Sequence, residues 1–242
     1  MTRQTLRNGT RLVSLLLFPV ILYYLSPYVI IRAASQGIIN GSLIVFISMF
    51  LVSLFLGRFW CGWLCPGSGL NMACGQIKPT PAKGGRRTLL KYAIWTLWLG
   101  VIAFIAYQAG GYSQLDFFYL TTNGVSVTKP WNYLIYYTVV GIIVSMNLIW
   151  GKGAMCKYIC WMAPFMAIGT KIKNAIRYPS LHLESDSQKC VSCKLCTRNC
   201  PMGLDVHEMV KNEDMLNSEC INCASCIDIC PKNAIKFGYL WK

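Results

Sequence analysis

Four stretches of this chain carry no charged side chain: residues 12–31, 33–57, 92–115 and 130–151. Each is long enough to cross a hydrocarbon core as a helix, which takes roughly 20 residues. Helices buried in a soluble protein keep a polar stripe for water, and four runs of this length leave almost none. The pattern predicts four transmembrane helices. Residues 162–177 turn from apolar to basic at Lys171, Lys173 and Arg177. They predict either an interfacial helix on the cytoplasmic leaflet or a continuation of the fourth span. Residues 178–189 read as a polar linker, and a short helix is expected around 206–216.

Composition supports the bilayer: 55% of the 242 residues are hydrophobic, and the mean hydropathy is +0.43. The net charge of +14 is unevenly spread. Residues 1–180 hold 16 Lys and Arg against one acid, Asp116, while residues 181–242 hold seven against eight. The basic excess therefore reads as topology and contact with anionic headgroups, not as nucleic-acid binding. Arg3, Arg7 and Arg11 precede the first stretch, and Arg58, Lys78, Lys83, Arg86, Arg87 and Lys91 lie between the second and third. The other connections hold only Arg32 or Asp116 and Lys129, which puts both termini in the cytoplasm of a prokaryotic cell. The N-terminus shows no twin-arginine signal or small-residue cleavage site, so the first stretch reads as a retained helix.

Cysteine spacing carries the chemistry. Cys190, Cys193, Cys196, Cys200 and Pro201 follow C-x2-C-x2-C-x3-C-P, and Cys220, Cys223, Cys226, Cys230 and Pro231 repeat it. This is the bacterial two-cluster ferredoxin pattern, in which the fourth cysteine of each run serves the other cluster. Cys190, Cys193, Cys196 and Cys230 would hold one 4Fe-4S cluster, and Cys220, Cys223, Cys226 and Cys200 the other. A zinc site needs only two ligand pairs, and a disulfide framework belongs to an oxidising compartment. The fold class expected is an all-α membrane bundle of four transmembrane helices over 1–177. It is joined by the 178–189 linker to a small α+β two-cluster ferredoxin domain over 190–242, on the cytoplasmic side.

The membrane part has a repeat of its own. The second uncharged stretch ends in Gly57-Arg58 and the fourth in Gly151-Lys152; each leads into C-x3-C, Cys61 with Cys65 and Cys156 with Cys160. Four residues span one helical turn, so each pair shares a face wherever the chain stays helical. If the two hairpins pack about a pseudo-two-fold axis, the four thiols converge. They then hold a third iron–sulfur centre or a zinc ion, act as redox-active thiols, or remain buried free cysteines. Disulfides within one turn are geometrically awkward. Cys74 has no partner at motif spacing and reads as a buried or interfacial residue.

The double C-x3-C at the ends of membrane helices, followed by the two-cluster motif, resembles the NapH and NosR type of membrane polyferredoxin over residues 11–231. That resemblance implies electron transfer between the quinone pool and a dedicated redox partner, as one subunit of an oxidoreductase complex. It also implies a shared redox role for Cys61, Cys65, Cys156 and Cys160. Trp161 stands where the pattern has a second proline, and the segment 110–131 is too short for the flavin domain of NosR-like members, so NapH is the closer likeness. With only His182 and His207 in the chain, no histidine pair is available for a membrane haem. No Asp, Glu or Lys lies in the uncharged stretches for a proton path. His207 is expected on the surface of the helix between the ferredoxin motifs. A different class of function, an accessory that reduces a metal ion or thiols during maturation of another enzyme, is also compatible with the four membrane-face cysteines.

Overall fold

The computed structural model describes residues 2–240. Helix α1 (Arg3–Leu16) is capped by Thr2, whose hydroxyl accepts the Thr5 amide. It gives way to the single turn α2 (Phe18–Ile21), with Pro19 in its first turn, and then to α3 (Pro27–Ala34). Strand β1 (Ile38–Asn40) leads into α4 (Gly41–Leu56), where the Asn40 side chain accepts the Leu43 amide. Then come α5 (Phe59–Trp63), α6 (Pro66–Ile77), α7 (Leu90–Gln108), β2 (Gln114–Asp116), α8 (Pro130–Trp150), α9 (Ala154–Tyr158) and α10 (Ala163–Ile176).

The uncharged stretches divide into two kinds. The helix over Arg86–Gln108, which includes α7, and the helix α8 are long and apolar enough to cross a membrane. The first stretch is not one helix: the axis bends by 59° after α1, and Ser26, extended ahead of Pro27, ends the next turn. The second stretch gives only the 16 residues of α4, about 24 Å of helix against a hydrocarbon core of about 30 Å. Its first residues are spent on the turn at Gly37, φ +67°, and on β1, which pairs in parallel with β2. Among the described residues, two helices are thus long and apolar enough to cross a membrane, or three if the bent pair counts as one, against the four spans expected. Lack of charge marks an apolar environment; prolines and glycines decide whether the run stays one helix.

The outer surface is apolar. Ile47, Leu51 and Phe55 on α4, Leu97 and Phe104 on α7, and Ile142 and Ile149 on α8 are exposed, a surface suited to lipid rather than water. Helix α1 is turned the same way: Leu6, Leu12, Val13 and Leu16 face out while Arg7 and Arg11 are buried. Beneath the surface, α10 packs along α4 and α6 along α8, so the helix that follows each C-x3-C motif crosses to the apolar helix of the other repeat. A β-carbon at Gly169 would collide with the Ser53 hydroxyl, which shows how closely α10 and α4 approach. Helix α10, separated from α8 by α9, is therefore not a continuation of the fourth stretch.

The C-terminal part is built from β3 (His182–Ser185), α11 (Leu195–Arg198), α12 (Val206–Lys211), α13 (Ser225–Asp228) and β4 (Ile235–Gly238). Strands β3 and β4 pair antiparallel, with Leu183 opposite Phe237, so part of the expected linker is a strand of this unit. Its core is Leu183, Val206, Val210, Met215 and Ile235.

Candidate metal centres

The two ferredoxin motifs fold alike because the same offsets take the left-handed backbone conformation: Ser192 and Lys194 in one, Asn222 and Ala224 in the other. These turns wrap the first three cysteines of each run round one point. After the fourth cysteine, Gly203 and Asn233 turn the chain again. The Leu204 amide then donates to Cys200 Sγ at 3.5 Å and the Ala234 amide to Cys230 Sγ at 3.4 Å.

Two separate cavities result. One is lined by Cys190, Cys193, Cys196 and Cys230, the other by Cys200, Cys220, Cys223 and Cys226, the two sets that cross-ligation calls for. All thirteen cysteines are free. Among the described residues no group of three or more His, Cys, Asp or Glu is arranged for a single metal ion. Four sulfurs set around a hollow body, with amides donating to them, fit a cubane. Burial pushes the Cys220 thiol up to about 12, so a bare thiol there stays protonated at neutral pH, and ligation would be what ionises it.

In the membrane part, positive-φ glycines, Gly57 (+59°) and Gly151 (+99°), end α4 and α8. Cys61 sits in α5 and Cys156 in α9. The chain leaves the helix before the second cysteine of each pair, contrary to the helical-turn expectation. In the two repeats the Cys65 amide donates to the Trp60 carbonyl at 3.0 Å and the Cys160 amide to that of Met155 at 2.9 Å. Pro66 opens α6 directly after Cys65, and Pro164 opens α10; a proline thus serves both repeats, displaced by three residues in the second. Cys65 and Cys160 share one core, with Cys61 packed against it. Cys65 lies in electrostatic reach of Cys61, Cys156 and Cys160, and the Asn71 amide donates to Cys156 Sγ at 3.1 Å. The two repeats therefore bring their four cysteines together.

Buried cations lie around this quartet and the ferredoxin cysteines docked on it. Arg7, Arg11, Arg58, Lys91, Lys157 and Lys173 are each 6% exposed or less, although their places in the chain suggested headgroup contacts. The Arg58 guanidinium donates to Glu219 Oε2 at 2.8 Å and to the Ser218 carbonyl at 3.3 Å, while its Nε and Nη2 have no hydrogen-bond partner among the described residues. Lys91 Nζ reaches both Glu219 oxygens at 2.6 Å. Burial raises the Glu219 carboxyl, but the Arg58 and Lys91 charges outweigh it and hold the group below the ordinary carboxylate range.

Glu219 adjoins Cys220, so this network ties the second ferredoxin loop to the membrane motif. Gly62 lies under that loop, where a β-carbon would collide with the Ile221 carbonyl. Trp63 Nε1 donates to the Asn222 carbonyl at 3.0 Å, and the Asn222 amide to the Leu56 carbonyl at 2.9 Å. Cys61 packs against the group formed by Met202, Ile221 and Cys223. On the other side of the quartet lies a cavity of about 640 Å³, with Cys65, Cys156 and Cys160 in its wall. It extends past Phe18, Leu22 and Ile143 to Arg32, Leu120 and Lys129, near the end of the bundle that carries β1 and β2. Sequence reasoning missed Arg58, Lys91, Asn71 and Glu219. The one signal available was the basic residue beside each C-x3-C.

Residues 182–231 match the family model of a 4Fe-4S dicluster domain, and residues 41–67 with 131–179, which contain the two C-x3-C motifs, match that of a 4Fe-4S binding domain. The chain is similar to two uncharacterized proteins of Methanocaldococcus jannaschii. One is 24% identical, over 84% of this chain and 74% of that protein; the other is 27% identical, over 88% and 84%. It is 22% identical to the putative electron transport protein YccM of Escherichia coli, over 84% of this chain but only 57% of that one. No solved structure matches the chain. The chain thus carries 4Fe-4S binding domains in both its membrane and its C-terminal part.

Proposed function

We propose that the protein is a membrane-anchored electron-transfer subunit of the NapH-like kind, which passes electrons between quinol and a cytoplasmic redox partner. The observation that carries the reading is the alignment of three cysteine sets: the membrane quartet, the Cys200, Cys220, Cys223 and Cys226 cavity docked on it, and the Cys190, Cys193, Cys196 and Cys230 cavity beyond. A cubane, when bound at each set, takes up and gives back one electron at a time.

Charge balance argues for thiolates at Cys61, Cys65, Cys156 and Cys160. Buried Arg11 and Arg58 lie in electrostatic reach of these cysteines and Lys91 of Cys160, Glu219 is the carboxylate that Arg58 and Lys91 share, and a buried charge without a counter-charge costs several kcal/mol. Four ionised sulfurs supply the missing negative charge, which favours a metal centre over free thiols. The exposed apolar faces of α4, α7 and α8 support a bilayer as the surroundings of this part. Arg3 and the Lys78 to Arg87 segment lie on the same side as the C-terminal domain, which supports a cytoplasmic location for it.

The cavity beside the quartet suits a quinol. Its length of apolar wall takes an isoprenoid tail, and Cys65, Cys156 and Cys160 bring the acceptor site to its inner end. Oxidation of the quinol releases two electrons and two protons, the electrons leaving singly through the quartet and the protons to water at the cavity mouth. The test is anaerobic reduction of the purified protein by a quinol analogue. The cluster absorbance should bleach in the wild type and not in Cys61→Ser or Cys156→Ser. Equal bleaching in all three would remove the quartet from the path.

A further inference from the structure

His207 is 2% exposed, not on the surface where its sequence context put it. It stands on α12 and is one of the residues lining the cavity of Cys190, Cys193, Cys196 and Cys230. Its Nδ1 is 3.6 Å from Glu208 Oε1, beyond hydrogen-bond length, and its Nε2 has no hydrogen-bond partner among the described residues. A buried imidazole nitrogen without a partner costs about 1–3 kcal/mol. The backbone does not require the ring there, since the His207 amide is already satisfied by the Thr197 hydroxyl at 2.9 Å.

The other ferredoxin cavity offers a contrast. Around Cys200, Cys220, Cys223 and Cys226 the lining is Leu183, Val206, Met209, Met215 and similar apolar side chains, with no histidine. The two motifs are alike in their spacing, yet only the first cavity has side-chain N–H donors in its wall, the exposed Lys189, Lys194 and Lys232 and, as the one buried donor, His207.

We propose that His207, in the Nε2–H tautomer, donates a hydrogen bond to sulfur of the cluster held by Cys190, Cys193, Cys196 and Cys230, and so sets that cluster's reduction potential apart from its neighbour's. The inference rests on the reading that these four cysteines hold a cluster. A donor aimed at cluster sulfur stabilises the extra negative charge of the reduced state and raises the potential. His207 is a positioning residue in this account: it neither ligates iron nor carries the electron.

The test is an EPR-monitored redox titration of the whole protein, with the signal that disappears in Cys193→Ser assigned to this site. His207→Phe, which has no donor, should shift the midpoint of that signal to lower potential and leave the other cluster unmoved. His207→Gln, which keeps an N–H, should recover part of the shift. In wild-type protein grown on isotopically labelled histidine, pulsed EPR should detect a histidine nitrogen coupled to the reduced site. That coupling should persist in His182→Gln, which also covers the case in which His207→Phe fails to assemble. An unshifted midpoint, an equal shift in both clusters, or no nitrogen coupling would overturn the proposal. Absence of the Cys193-dependent signal from the wild type would instead overturn the ligand reading beneath it.

Discussion

At the scale of single residues, the feature that organises the molecule is the Glu219 carboxylate held between Arg58 and Lys91. Both cations are fully buried, and taking away their one carboxylate leaves two uncompensated charges. Glu219→Gln should therefore destabilise the protein by about 3–5 kcal/mol, read as a lower temperature for loss of cluster absorbance in detergent. Because the folded carboxyl titrates below its unfolded value of about 4.3, its stabilisation is whole at neutral pH and disappears as the pH falls through the depressed value. The gap between wild type and Glu219→Gln should close in strong acid; a gap independent of pH would show that the charge is not what matters. Arg58 also lies in electrostatic reach of Cys61 and Cys156. Arg58→Gln should accordingly lower iron retention at the quartet while Arg58→Lys keeps most of it.

At the scale of elements, the two hydrophobic helices that end in glycine and C-x3-C are one design used twice, with α6 and α10 exchanged between them. The docking of the second ferredoxin loop depends on Gly62, where a side chain would meet the Ile221 carbonyl. Gly62→Ala should cost about 1–3 kcal/mol through overpacking and slow electron transfer from the quartet to the ferredoxin clusters, measured by flash-reduction kinetics. Gly100→Ala on α7, where a β-carbon meets nothing within 4 Å, is the control and should change neither. The cysteine sets were legible in the sequence because ligand spacing is local, and left-handed turns at fixed offsets recur in each run. The helix breaks at Pro19 and Pro27 were not read from the sequence, because absence of charge is a weaker guide to helix length than proline and glycine. Burial of Arg7, Arg58 and His207 was not legible. It follows from contacts across as many as 218 positions, such as Arg7 with Ser225, which no local pattern encodes.

At the scale of the whole molecule, polarity is turned round: apolar side chains face outward, and cations gather inside around sulfur. That arrangement is stable only if the exterior is hydrocarbon and the interior holds negative charge. The central claim is accordingly that Cys61, Cys65, Cys156 and Cys160 bind a third cluster in line with the two of the ferredoxin domain. Iron and acid-labile sulfide analysis of anaerobically purified protein tests it most directly. At four irons per cubane, the account predicts about twelve irons per chain, falling to about eight in Cys61→Ser. A wild-type value of about eight, unchanged by that substitution, would contradict it.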